Sequence, residues 1–245
     1  MLHIGSEGEI MIQPGFIQYQ MKSYLRSLTF IPPVTLFGAW VIIFYTYSGV
    51  PIMSSYVITS VSMYLVMTWV AMNVFSLEEE TEKNLLIVQL KGKRAFLIGK
   101  WVVCFLVAAV LGSFALVYPL VFSIFKEPIQ PVQLMAAIYG HLVCASFGIL
   151  VGSFFSTLNI ESKRFAWLSA MFVIVISLAA EGIVEKASFF KWLLLPFPAI
   201  YQVILHFTDD TPYVVGDSFW LDTLWVMVYV AAGLFLTMKL FLKRE

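Results

Sequence analysis

The stretch that decides the fold runs from Ser27 to Leu77: SLTFIPPVTLFGAWVIIFYTYSGVPIMSSYVITSVSMYLVMTWVAMNVFSL. It contains no charged residue. A membrane-crossing helix needs about 20 mostly apolar residues, so this run is too long for one span and suits two. Ser48-Gly49-Val50-Pro51 supplies the break, because Gly and Pro favour a turn. The reading places helix one near Phe30–Val50 and helix two near Ser54–Leu77. Pro32 and Pro33 stand at the start of helix one, where a missing N–H costs least.

The rest of the chain repeats the pattern. Further apolar runs place helix three near Trp101–Phe125, helix four near Val132–Ser156, helix five near Phe165–Ala180 and helix six near Phe219–Leu240. Composition agrees: 60% of the residues are hydrophobic and 12% charged, against about 25% charged in soluble domains. So little polar surface cannot cover a globule in water, whereas lipid solvates it. The formal net charge is zero, which points to no nucleic-acid partner. The N-terminal stretch MLHIGSEGEIMIQPGF carries two Glu and no basic residue. It lacks the basic start of a secretory signal, so the first apolar span is expected to remain in the mature protein.

Lys and Arg set the expected orientation. Twelve of the fifteen fall on one side of the predicted helices and three (Lys126, Lys186 and Lys191) on the other. By the positive-inside rule both termini are cytoplasmic.

Several features stand out. Residues 78–100, EEETEKNLLIVQLKGKRAFLIGK, are the most charged part of the chain. Glu78, Glu79, Glu80 and Glu82 come early, and Lys91, Lys93 and Arg94 come late, which suits a helix dipole. Leu85, Leu86, Val88 and Leu90 make the segment amphipathic, so it reads either as a solvated loop or as a docking helix at the membrane surface. In Gly15–Leu28, Phe16, Ile17, Met21, Tyr24, Leu25 and Leu28 alternate with Gln18, Gln20, Lys22 and Arg26 at roughly helical spacing, which suits either a lead-in to helix one or a helix lying on the membrane. In helix four, Gly140, Cys144, Gly148, Gly152 and Ser156 recur every fourth residue. That stripe lets another helix approach closely, within the subunit or between subunits. Glu161, Lys163 and Arg164 anchor the loop between helices four and five.

Ionisable residues within the spans are few. His141, Glu181 and Glu185 lie toward helix ends, where solvation is expected, and this speaks against a proton pump. Phe37, Trp40, Tyr64, Met67 and Trp69 suit either an apolar pathway or lipid contact. Residues 182–217 are apolar but broken by Pro196, Pro198 and Pro212, and fit re-entrant or interfacial helices. Asp209, Asp210, Asp217 and Asp222 would then face outward. Cys104 and Cys144 sit inside apolar runs and read as packing residues, with no metal site expected. No G-x-x-x-x-G-K-[ST], H-E-x-x-H or G-x-S-x-G pattern occurs. The chain thus lacks a phosphate-binding loop of its own and is not expected to be an enzyme.

The order of two helices, a Glu-rich segment, a Leu-rich stretch and a Gly-Lys pair opening helix three resembles the permease subunits of ABC-2 type transporters. Glu78, Glu80, Glu82, Leu85, Leu86, Gly99 and Lys100 match that pattern, while Lys83 and Asn84 stand where the family often has Gly-Thr. The resemblance implies an all-α membrane protein of six transmembrane helices with an N-terminal interfacial helix. A cytoplasmic docking helix would lie between helices two and three, and a re-entrant or interfacial segment between helices five and six. Residues 1–29 would form the cytoplasmic N-terminus and 30–245 the permease domain. It further implies a multi-pass subunit of a bacterial plasma membrane that exports an amphipathic cargo such as a peptide, a drug-like molecule or a lipid-linked compound. Its partners would be a cytoplasmic ABC ATPase, which binds the ATP and Mg, and a second identical or related permease. Contact with the ATPase would fall on Glu78, Glu79, Glu80, Glu82, Lys83, Leu86, Lys91, Lys93 and Arg94, with a smaller contact at Glu161, Lys163 and Arg164. An intramembrane enzyme, an accessory subunit or a scaffold is the alternative.

Overall fold

A computed structural model describes residues 14–158, 162–186, 189–198, 200–205 and 217–243. The described residues form helices only: α1 (Pro14–Arg26), α2 (Ile31–Phe44), α3 (Ile52–Phe75), α4 (Glu80–Gln89), α5 (Lys93–Val121), α6 (Pro131–Thr157), α7 (Lys163–Lys186), α8 (Phe190–Leu193), α9 (Ile200–Leu205) and α10 (Asp217–Lys243). Five of these, α3, α5, α6, α7 and α10, are each long and apolar enough to cross a membrane. With the pair α1 and α2 taken as one bent span the number is six. The chain is therefore a multi-pass, all-helical membrane protein.

Helix one is shorter than its sequence suggests. At about 1.5 Å per residue, the 14 residues of α2 reach about 21 Å, less than the roughly 30 Å of a bilayer core. It stops at Phe44 because the chain turns early to meet the α5–α6 connection. Gly49 N donates to Ile124 O at 2.7 Å, and Val50 bridges Phe125. Tyr45 is buried, with its ring against Tyr118 and Phe125. At the other end α1 leaves α2 at a bend of 78°. Leu28 takes a left-handed φ of 57° there, and Asn73 Nδ2 donates to Thr29 O at 2.9 Å, pinning the bend to α3.

The centre of the bundle is the α3–α6 pair. α6 is 67% buried across its apolar window, whereas α10 is 17% buried. The small-residue stripe explains the difference. A Cβ added at Gly148 would lie 2.6 Å from Tyr64 O and 3.0 Å from Thr68 N, and one at Gly152 would lie 2.5 Å from Thr68 O. The two backbones touch directly, as glycine permits and lipid-solvated helices favour. Cys144 and Gly140 continue the buried face, and Ser156 sits half-buried at its end. In contrast α7 turns Phe165, Leu168, Phe172 and Val175 outward, a stripe at helical spacing.

Predicted helix three begins eight residues too late, since α5 starts at Lys93 and carries Lys93, Arg94 and Lys100 within it. Predicted helix five ends too early, and α7 continues through Glu181 and Glu185, both exposed. After it, α9 contributes buried Ile200 and Val203 to a core cluster with Ile174 and Val226. Tyr229 Oη of α10 donates to Pro196 O at 2.6 Å, holding the turn between these short helices. Asp209 and Asp210 lie outside the described residues.

Candidate docking site at the basic end of the bundle

The Lys/Arg-rich end of the bundle is built around α4. Its capping is well formed at the C-terminus: Lys91 N donates to Val88 O and Gly92 N to Ile87 O, each at 3.1 Å. This is the paired pattern of a Schellman motif, with Lys91 in the left-handed position at φ 58° that glycine usually fills. Leu86 and Leu90 are buried, whereas Leu85 and Val88 are exposed by 59% and 75%. α4 thus has an inner and an outer apolar edge.

Two side-chain contacts brace the inner side. Tyr19 Oη of α1 donates to Glu82. That bond and burial push the phenol up to about 12, so Tyr19 stays a donor at physiological pH. Lys83 Nζ lies 5.5 Å from the Phe241 ring near the end of α10, and Phe241 stacks on Phe96 of α5. Between α1 and α4 runs a groove of about 470 Å³, lined by Gly15, Phe16, Tyr19, Glu82, Leu85, Leu86, Gln89 and Leu90. The outward face presents Glu79, Glu80, Leu85 and Val88.

The structure divides the predicted docking residues. Glu79, Glu80, Lys91 and Arg94 are exposed, Lys93 is half-buried, Glu82 faces α1, and Lys83, near the Phe241 ring, pairs with Glu80 at 3.2 Å. Lys163 and Arg164 are exposed at the start of α7, and Glu161 lies outside the described residues. Glu78 is different. Its side chain is 2% exposed and forms an ion pair with Lys100, itself 1% exposed. Gln20 Nε2 of α1 donates to the other carboxylate oxygen, and Lys100 Nζ also donates to Val74 O at 2.7 Å. Glu78 is therefore an interior residue, not part of an outward surface.

The sequence reading missed this cluster because it took Glu78 and Lys100 as parts of one charged surface segment, a solvated loop or a docking helix. A signal was present. Lys100 sits in FLIGKWVV, apolar on both sides, and a lone cation in such a run needs a partner. The same holds for Gln20, placed on the polar face of the interfacial helix. The stripe that faces the bundle is Phe16, Gln20 and Tyr24, because Glu78 needs the donor that Gln20 carries. Gly99 has a comparable local role, since a Cβ there would lie 2.5 Å from the Phe16 ring.

His141 is a second correction. It is 2% exposed rather than solvated. Its Nδ1 lies 2.8 Å from Ala137 O and 3.0 Å from Ser60 Oγ, and its Nε2 lies 3.2 Å from Thr59 Oγ1. With Nδ1 as donor and Nε2 as acceptor, the neutral ring is satisfied by α3 and α6 alone. Phe37, Tyr64 and Met67 are also core residues, whereas Trp40 is exposed and Trp69 packs edge-on against Trp167. They form no single lining. Among the described residues no group of His, Cys, Asp and Glu could hold a metal ion.

Comparison of the chain with protein-family models, curated proteins and solved structures gives no match.

Proposed function

We propose that the chain is the membrane-spanning permease subunit of an ATP-driven ABC exporter that moves an amphipathic cargo, with a separate subunit binding ATP and Mg. A second permease subunit, identical or related, completes the pathway. The observation that carries this reading is α4. A ten-residue helix outside the spans is anchored to α1, α5 and α10, yet turns an acidic and apolar edge outward. An edge that is braced behind and uncovered in front suits a partner that pushes. Glu79 and Glu80 select a basic partner surface, while Leu85 and Val88 supply the desolvated contact. Lys163 and Arg164 extend the docking end on this reading, which makes that end cytoplasmic. The polar clusters around His141 and Lys100 are closed by protein partners, which favours transport over an intramembrane enzyme.

The test is charge reversal. Glu79→Lys with Glu80→Lys places two positive charges on the docking edge without touching Glu78. The variant is expected to insert at parental levels and to lose co-purification of the ATP-binding subunit. Glu127→Lys, exposed at the opposite end, is expected to retain it. Retention by the double variant would refute the docking assignment.

A further inference from the structure

We infer that Glu78 is a three-way joint that makes α1, the end of α3 and the start of α5 move as one body, so that displacement of α4 reaches the spans. This holds whatever partner docks on α4. Glu78 lies in the short connection between α3, which ends at Phe75, and α4, which begins at Glu80. One oxygen takes the hydrogen bond from Gln20 of α1, and the other takes the ammonium of Lys100 from α5. That ammonium also holds the Val74 carbonyl in the last turn of α3, where a cation suits the helix dipole. Phe75 and Phe96 place their rings 5.5 and 5.0 Å from Lys100 Nζ, shielding the pair from water.

Two physical points make this a joint rather than ordinary packing. First, a buried ion pair is poor value as stabilisation alone, because desolvation offsets most of its attraction and apolar replacements are often as stable. What it supplies is direction. Packed methyl groups can slide past one another, whereas a carboxylate bonded at both oxygens fixes the angle and spacing of three elements. Second, the other ties of α1 are weaker guides. Phe16 and Tyr24 are buried but pack through their rings without a hydrogen bond, Phe16 against Gly99 and Phe96, and the Tyr19 bond to Glu82 is partly exposed. Gln20 is the one α1 side chain among these that reaches a fully enclosed charge.

The joint can be tested on the full chain in lipid nanodiscs, without a partner. Spin labels at Gln18 and Lys126 report α1 against the opposite end, and labels at Ser76 and Lys126 report the end of α3, with Cys104 and Cys144 replaced by Ala. The parent is expected to give one narrow distance distribution for each pair. Gln20→Leu, which keeps volume and burial but removes the hydrogen bond, is expected to broaden the Gln18–Lys126 distribution at least twofold. It should leave Ser76–Lys126 unchanged. Glu78→Leu with Lys100→Met is expected to broaden both, with a melting temperature within a few degrees of the parent. If Gln20→Leu leaves both distributions narrow, α1 is held by packing and the joint is refuted. If the double variant unfolds instead, the Gln20→Leu result decides alone.

Discussion

Alanine at Gly148 should separate the two central helices. The added Cβ would lie 2.6 Å from Tyr64 O, 2.9 Å from Met67 Cβ and 3.0 Å from Thr68 N, and at Gly152 it would lie 2.5 Å from Thr68 O and 2.7 Å from Ala71 Cβ. Comfortable carbon contacts lie at about 3.5–4.0 Å, so each site falls short by on the order of 1 Å. Most of the obstructing atoms are backbone or Cβ, so no rotamer change relieves them, and α3 and α6 must move apart. Overpacking of this kind costs about 1–3 kcal/mol. At about 2–4 °C per kcal/mol for a chain of this size, Gly148→Ala should melt roughly 2–12 °C below the parent in detergent. The two glycines share one interface, so the double variant should lose less than the sum, because the first substitution has already moved the helices. Gly38→Ala and Gly182→Ala are controls with nothing within 4 Å of the added carbon. They should match or exceed the parent, since Ala is better than Gly within a helix by about 0.5–1 kcal/mol. A Gly148→Ala protein that melts with the parent would refute direct backbone contact.

Two further expectations follow from local geometry. Lys91 holds a left-handed φ of 58° at the end of α4, a conformation that costs a residue with a Cβ about 1–2 kcal/mol. Lys91→Gly should therefore raise the melting temperature by a few degrees while Lys91→Ala does not, and a Gly variant no more stable than the Ala variant would argue against the capping geometry. Cysteines at Tyr47 and Lys126 should react with an impermeant maleimide from one face of the membrane, and cysteines at Arg94 and Lys163 from the other. Reaction of Tyr47→Cys from the same face as Arg94→Cys would contradict a crossing by α3.

The spans were legible where the physics is one-dimensional. α6 is a run of apolar residues that opens at Pro131 and closes at Thr157, and its reading from Val132 to Ser156 lies one residue inside the helix at each end. Its glycine spacing pointed to close packing, though not to α3 as the neighbour, because periodicity names a face and not what covers it. Boundaries failed where tertiary contacts outweighed hydropathy. Helix one was read to Val50, but pairing of Gly49 and Val50 with the α5–α6 connection ends α2 at Phe44. The polar centres were the least legible part. Glu78 and Lys100 stand 22 residues apart, and His141 meets Thr59 and Ser60 about 80 positions away. Charge in a sequence reads as solvated until folding supplies a partner, so the separation between the exposed Glu79 and the interior Glu78 could come only from the structure.

The measurement that bears most directly on the docking role of α4 is site-specific photo-crosslinking in native membranes. A photoreactive residue is placed at Val88 or Leu85 on the outward edge and, for comparison, at Trp192 and Trp220, which are also exposed. The proposed function predicts that Val88 and Leu85 give an adduct whose second chain contains a G-x-x-x-x-G-K-[ST] nucleotide-binding sequence, and that Trp192 and Trp220 do not. Absence of such an adduct from both α4 positions, or equal yield from all four, would contradict it.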